Sequence, residues 1–254
     1  MGILRSRLLA REGFDHGSSL RTGGQSAPPF DSLNLGRGLG DDEGAVRANH
    51  ERMAARAGYR PERLFEVSQV HGTRVREVSE AEEPPGVRAE EADGLLAGPG
   101  GLAIGVRTAD CVPLLLADPE RGVVAAVHAG WRGIEAGIAP LALQSLAARG
   151  ARPDRMIACI FPHICPRCFE IGEDVATRLV AAAGGEGAVI RREAGRPRAD
   201  LSAILRLQLL GGGIDPAHVE EVQGCTFEDS SRFFSFRRDG GQTGRHLTVI
   251  VSRR

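Results

Sequence analysis

Three residues of this 254-residue chain have metal-binding side chains and stand where apolar runs give way to turns: His71, Cys111 and His128. His71 follows Arg63–Val70 (RLFEVSQV) and precedes Gly72. Cys111 comes just after Gly101–Thr108 and Asp110, and His128 closes Gly122–Val127 ahead of Ala129-Gly130. Strand ends are where a rigid sheet presents chemistry to its loops. Separations of 40 and 17 residues are too wide for a zinc finger, so only a preformed fold brings the three together. Two His and one Cys leave a fourth position for water, which is the pattern of a catalytic rather than a structural zinc. Copper is an alternative occupant, because affinity alone favours Cu²⁺. Taken singly, each His is more often a surface or satisfied core residue; the set with its flanks favours a site.

Two neighbours extend the set. In His128-Ala129-Gly130-Trp131-Arg132-Gly133 the only tryptophan sits beside Arg132 at the mouth of an expected helix. A helix N-terminus with an arginine makes an anion site; the plainer alternative is that Trp131 packs and Arg132 is solvated. Asp110, next to Cys111, is placed to orient a ligand or shuttle a proton, or simply to cap a turn.

Other motifs weigh less. Cys165-Pro166-Arg167-Cys168 is a C-x-x-C with Cys159 shortly before it, but a structural zinc wants a second pair, and His163 is the only obvious helper. A thioredoxin-like role needs the motif to open a helix, which Phe169-Glu170-Ile171-Gly172 does not suggest. Gly36-Arg37-Gly38-Leu39-Gly40 has the wrong spacing for a dinucleotide turn and reads as a plain loop. No G-x-S-x-G, H-E-x-x-H or Walker loop is present.

Composition excludes more. All 32 basic residues are arginine, with no lysine anywhere, which removes Schiff-base, Walker-type and lysine-base chemistry. A net charge of −1 argues against a nucleic-acid partner. No apolar run is long enough to span a bilayer, and the start lacks a signal-peptide core. With five cysteines, an odd number, reduced thiols in a cytoplasm are expected.

The elements that must position these residues are mixed. Strands are expected at Arg63–Val70, Gly101–Thr108, Val112–Ala117, Gly122–Val127 and Met156–Phe161, with a C-terminal hairpin of Arg232–Arg237 and His246–Ser252 around DGGQTG. Helical periodicity covers Glu43–Ala57, Ile134–Arg149, Glu173–Ala183 and Leu201–Gly211, with Asp200 as an N-cap. Val78–Ala92 reads as a surface loop, and Ala182–Arg198 is a second weak stretch. Neither divides the chain, so one domain is expected. Strands and helices without strict alternation favour an α+β fold, a mixed sheet with helices outside it.

Gln69-Val70-His71-Gly72, Thr108-Ala109-Asp110-Cys111-Val112-Pro113 and His128–Gly133 together resemble the three signature blocks of the YfiH family. Further matches are Ser32-Leu33-Asn34-Leu35-Gly36, Gly40-Asp41-Asp42, Cys225-Thr226, Phe233–Arg238 and Thr243-Gly244-Arg245, so the resemblance spans about residues 14–252. Two departures are local: Phe161 stands where the family has a glycine before Pro162, and His50 where an arginine commonly follows Asn49. The resemblance implies a four-layer α/β/β/α sandwich with mixed sheets and one zinc on His71, Cys111 and His128. It also implies phosphorolysis of adenosine, inosine and methylthioadenosine, with deamination of adenosine. Arg132 and then Arg237 are the first choices for a phosphate cradle, and Asn34 for a substrate contact.

The same resemblance includes removal of misincorporated serine from a UDP-muramoyl precursor, an amide hydrolysis. Two further readings are a metal-free Cys111 nucleophile with a His base, and a regulatory protein with a closed structural metal site recruiting Cys165 or Cys168. The family's laccase label fits poorly, since seven histidines without one H-x-H cannot build a multicopper centre.

Overall fold

The structure is a computed structural model that describes residues 2–185, 190–191 and 195–253. Two mixed sheets lie face to face. The first runs in the order β1 (Ile3–Leu4), β2 (His16–Ser19), β13 (His246–Val251), β6 (Ala103–Thr108), β3 (Leu64–Phe65). The second runs β12 (Val219–Glu221), β9 (Ile157–Ile160), β7 (Val112–Ala117), β8 (Val124–Ala129), β5 (Gly94–Ala97), β4 (Val75–Val78). β10 (Ile190–Arg191) and β11 (Arg198–Ala199) form a separate antiparallel pair.

Side chains alternate between faces along a strand, so one sheet feeds two cores. Leu115, Ala117, Val124 and Ala126 meet Phe65, Ile104, Val106 and Ile250 in the layer between the sheets. Leu114, Leu116, Ala125 and Val127 face the other way, against α4 (Trp131–Glu135), α5 (Ile138–Ala147), α6 (Glu173–Ala182) and α7 (Leu201–Gly211). On the far side, Met53 and Ala57 of α2 (Glu43–Ala57) pack on Leu64, Ala103, Leu247 and Val249. The layers are therefore helix, sheet, sheet, helix, as expected. With both faces of β7 and β8 fully buried, apolar content is continuous rather than alternating. Truncating fully buried Leu116 to Ala would cost about 2–5 kcal/mol. The short helices α1 (Arg7–Arg11) and α3 (Pro84–Arg88) lie in connections.

α2 and α7 fall where periodicity puts them. Asp200 caps α7 through a bond from the Ala203 amide, and Asp42 caps α2 through the Ala45 amide. α6 ends one residue short of its expected limit. The helix expected over Ile134–Arg149 is two, α4 and α5, broken at Gly137, whose φ of +79° an L side chain resists. Arg63–Val70 is strand only at β3; Val67–Val70 leaves the sheet to carry His71, and a 3₁₀ turn at Pro61–Arg63 precedes it. His128 lies inside β8 rather than at its end. Val78–Ala92 holds α3, and β4 runs into it.

The C-terminal hairpin does not form. Residues 232–237 form no strand: Phe233–Ser235 run irregularly between turns, with Phe233 and Phe234 both buried and the Phe234 amide donating to Nε2 of His246 at 2.8 Å. β13 pairs instead with β2 and β6. Of the weak stretch Ala182–Arg198, residues 186–189 and 192–194 lie outside the described residues.

Candidate metal centre and its cavity

The site forms where the chain passes between the two sheets. β6 ends at Thr108, and Ala109-Asp110-Cys111 crosses into β7. The positive φ values of Asp110 (102°) and His71 (61°) are the only ones at non-glycine positions among the described residues. Both abut the cluster, and such backbone strain gathers at functional sites because the surroundings over-determine it.

His71, Cys111 and His128 converge with their ligand atoms within 4.8 Å of one another. Cys111 Sγ is 3.8 Å from His71 Nε2, and the two imidazole rings stand edge to face with centroids 4.8 Å apart. A tetrahedral zinc with bonds of about 2.0–2.1 Å to nitrogen and about 2.3 Å to sulfur separates N and S by about 3.6 Å, so the donor set fits a divalent metal. Gly130 makes the approach possible: a Cβ there would sit 2.8 Å from His71 Cδ2 and 3.2 Å from Cys111 Sγ.

Asp93 organises two of the three cluster residues. Its fully buried carboxylate accepts from the amides of Val70 (3.2 Å), His71 (2.9 Å) and Gly72 (2.6 Å), and from His128 Nδ1 (2.7 Å). The bond to Nδ1 turns Nε2 of His128 toward the cluster, the usual carboxylate–histidine support of a metal site. Burial pushes the Asp93 carboxyl up, but the bonds from His128, Gly72 and Val70 outweigh it and hold it below the ordinary range. Burial likewise raises the Cys111 thiol, and the neighbouring His128 and His71 bring it down to about 6. His128, which burial alone would lower, is raised to about 9 by Cys111 and Asp93.

The cluster opens on a cavity of about 610 Å³. Five arginines line it: Arg37, Arg107, Arg132, Arg237 and Arg245. Asp110 is the only carboxylate in that wall among the described residues, and both its oxygens are taken, Oδ1 by Thr226 Oγ1 (2.6 Å) and Oδ2 by the Arg237 amide (2.7 Å). Asp110, the neighbour of Cys111, thus ties that crossing to Thr226 and the loop of Arg237. Arg132 is exposed and stacks over Trp131, with its guanidinium carbon 4.5 Å from the ring centroid. Trp131 itself packs half-buried on the helical core, and α4 has only five residues. Arg237 lies over Phe169, and Arg245 over Phe236. A larger hollow of about 870 Å³ near Asp15, Tyr59 and Arg253 contains no His or Cys.

Asn34 does not line the cavity. It is fully buried, with its amide donating to Asp41 and Gly36 O and its carbonyl accepting from the Gly36 and Arg245 amides. It therefore fixes the Gly36–Leu39 wall and Arg245 rather than presenting a free contact. His50 is buried on Leu35 O away from the cavity, and Phe161 is core. Cys165 and Cys168 belong to a separate cluster, so they do not close the His71 site. Asp93 is not apparent as a site residue from the sequence, where its only signal is a lone charge opening the apolar run Asp93–Ala97. Nor are Arg37, Arg107 and Arg245 apparent there as cavity cations.

An α/β protein of two stacked sheets, with a His–Cys–His cluster at the edge of an arginine-walled cavity, is the class this geometry defines. The chain belongs to the YfiH family: the family's sequence profile, described as multi-copper polyphenol oxidoreductase laccase, matches residues 15–253. It is similar to a purine nucleoside phosphorylase of Deinococcus radiodurans, 40% identical over 98% of this chain and 92% of the relative. A purine nucleoside phosphorylase of Streptomyces coelicolor is 42% identical over 92% of this chain and 93% of the relative. Among solved structures, YlmD from Geobacillus stearothermophilus superposes with a TM-score of 0.93 at 32% identity, covering 100% of this chain and 97% of that one. No helix among the described residues is long and apolar enough to cross a membrane.

Proposed function

We propose that the protein is a zinc-dependent purine nucleoside phosphorylase acting on adenosine, inosine and methylthioadenosine, with deamination of adenosine in the same cavity. The observation that carries this is the arginine wall beside the His71–Cys111–His128 cluster. A phosphate co-substrate needs a cationic cradle, and guanidinium forks bind it in bidentate fashion. Arg237 and Arg245 are each stacked on an aromatic ring and so present their forks with little freedom to lose. Phe236, 52% exposed and lining the cavity, offers a ring face on which a purine can stack. Asp110 positions the Arg237 backbone and Thr226, and so sets the wall that the nucleoside faces. Bound at the cluster, zinc supplies Lewis acidity next to that wall.

Of the other described histidines, His16, His50, His163 and His246 each bond a backbone group elsewhere in the fold. Only His71 and His128 pair, which argues against laccase chemistry. Incubation with inosine and phosphate should release hypoxanthine and ribose 1-phosphate, and the absence of product from folded, zinc-loaded protein would refute the proposal. Adenosine in the same assay tests deamination. A UDP-muramoyl-serine precursor, whose diphosphate suits the same cations, is run beside it.

The Asp93–His128–Cys111 line favours one second reading. Without metal it forms a thiolate–imidazolium pair of the kind that serves nucleophilic catalysis. Full activity in a strong chelator would select that reading; loss of activity restored by zinc selects the first.

A further inference from the structure

Cys165, Cys168, Cys225 and Glu228 bring one donor atom each within 4.8 Å of one another, away from the cavity cluster. Cys165 and Cys168 lie in the turn that follows β9, and Cys225 and Glu228 in the turn that follows β12. The two turns meet at a bridge between His163 and Cys225. Sγ of Cys165 is 3.6 Å from Sγ of Cys168, and Sγ of Cys168 is 3.5 Å from Oε1 of Glu228. An ion with bonds of about 2.3 Å to sulfur and about 2.1 Å to oxygen spaces its tetrahedral ligands by about 3.8 Å (S to S) and about 3.6 Å (S to O). These separations are therefore edges of a coordination tetrahedron, and far longer than a disulfide bond of about 2.05 Å.

We propose that this cluster is a second metal site, a closed structural zinc site of three thiolates and one carboxylate. The supporting contacts a metal site needs are present. The Cys165 amide points at Cys225 Sγ at 3.3 Å, and Arg167 holds both oxygens of Glu228, Nε to Oε1 at 3.0 Å and Nη2 to Oε2 at 2.7 Å. Thiolate-rich donors select zinc over the hard divalent ions, and each thiol releases its proton to solvent as the ion binds. With four protein ligands no position is left for substrate, so the ion staples two turns and takes no part in chemistry. Those turns hold the cavity wall. Thr226, next to Cys225, donates to Asp110; Arg237 donates to Glu170 O, two residues beyond Cys168; and Arg238 donates to Thr226 O.

The test is a cobalt(II) titration of the full chain, prepared reduced and metal-free. Two equivalents should bind, with a thiolate-to-cobalt charge-transfer band drawn from four thiolates, one in the cavity cluster and three here. Cys168→Ser with Cys225→Ser should leave one equivalent and roughly a quarter of the band, whereas His71→Ala should remove the other equivalent and keep most of it. A single equivalent in the unmodified chain, or two in the double variant, would overturn the proposal. A second measurement needs no variant: zinc should protect Cys165, Cys168 and Cys225 from alkylation, as read by peptide mass spectrometry, and a chelator should expose them. Equal alkylation with and without zinc, or a Cys165–Cys168 disulfide in protein kept reduced throughout, would likewise overturn it.

Discussion

Asp93→Asn tests whether the cavity cluster is a metal site organised from behind. The carboxylate accepts four bonds, two at each oxygen: His71 N and His128 Nδ1 on Oδ1, Val70 N and Gly72 N on Oδ2. An amide keeps one acceptor oxygen and puts an NH₂ where the other was. If its oxygen replaces Oδ1, the part-buried amides of Val70 and Gly72 face another donor in place of their acceptor. Two part-buried donors, each at the low end of about 1–3 kcal/mol, put the destabilisation at about 2 kcal/mol. If the amide flips, His128 loses the acceptor that fixes its tautomer, and the ligand nitrogen is no longer held toward Cys111. The first orientation keeps the His128 bond but strains the loop that carries His71, and the second breaks the support of His128; loss of such outer-shell support typically costs 10–100-fold in metal affinity, about 1.4–2.7 kcal/mol. Urea denaturation measures the first effect, and competition for zinc against a chromophoric chelator measures the second. A folded variant that binds zinc within twofold of the parent would show that Asp93 holds the loop but not the metal.

Gly130→Ala should strip metal from the cavity cluster in metal analysis, because the added Cβ arrives 2.8 Å from His71 Cδ2; the overpacking should cost about 1–3 kcal/mol in the same denaturation assay. Arg237→Ala should raise KM for phosphate about tenfold or more, the value of a charge-assisted bond, with the fold intact because the side chain is exposed; an unchanged KM would move the cradle elsewhere. Glu66→Gln removes the buried carboxylate that lies 3.4–3.7 Å from Arg37, Arg88 and Arg107, and should destabilise by about 3–5 kcal/mol; a neutral result in urea denaturation would mean that the arginines relax to solvent. Acid should weaken the fold through His50 and His246, whose pKa values burial lowers to about 4. The unfolded chain takes up their protons as pH falls below about 6.5 while the folded one does not, so stability is intact above that pH. Each removes up to about 3 kcal/mol by pH 4, read as a falling urea midpoint that Phe substitution at either site should flatten.

The three residues of the cavity cluster were legible because each interrupts or ends an apolar run, and a polar residue with a metal-binding side chain in that position needs a reason. Asp93 was not, because its four partners lie 21–35 residues away and nothing local separates a metal support from a turn aspartate. β2 shows the matching limit in the fold. His16-Gly17-Ser18-Ser19 has no apolar period, yet it is buried next to β13, with Ser19 Oγ accepting from the Leu247 amide and Ser18 bonding Thr248. Long-range hydrogen bonds make that strand, and a pattern of hydrophobicity cannot register them. The same gap explains the hairpin. β13 forms as a strand, but its partners are β2 and β6, while Phe233 and Phe234 sit outside any strand and are both drawn into the core, where the Phe234 amide donates to His246 rather than to a strand partner. Cys225 was visible only as a family match, since its pairing with Cys165 and Cys168 spans 57–60 residues.

The absence of lysine reads in the sequence only as an exclusion, and the structure gives it a positive sense. Three of the five cavity cations stand on aromatic rings, Arg132 on Trp131, Arg237 on Phe169 and Arg245 on Phe236, in a chain that is 4% aromatic. A flat guanidinium can lie over a ring while its edge donates in a fixed bidentate fork; an ammonium on a flexible stem can approach a ring and donate, but has no planar fork to hold in register. A fourth and a fifth, Arg37 and Arg107, are balanced from behind by Glu66, which is itself shut off from solvent. Ring faces and one buried carboxylate therefore allow five like charges to line a single cavity. The entropy of ordering those forks is largely spent in folding, so an arriving anion meets donors already in place.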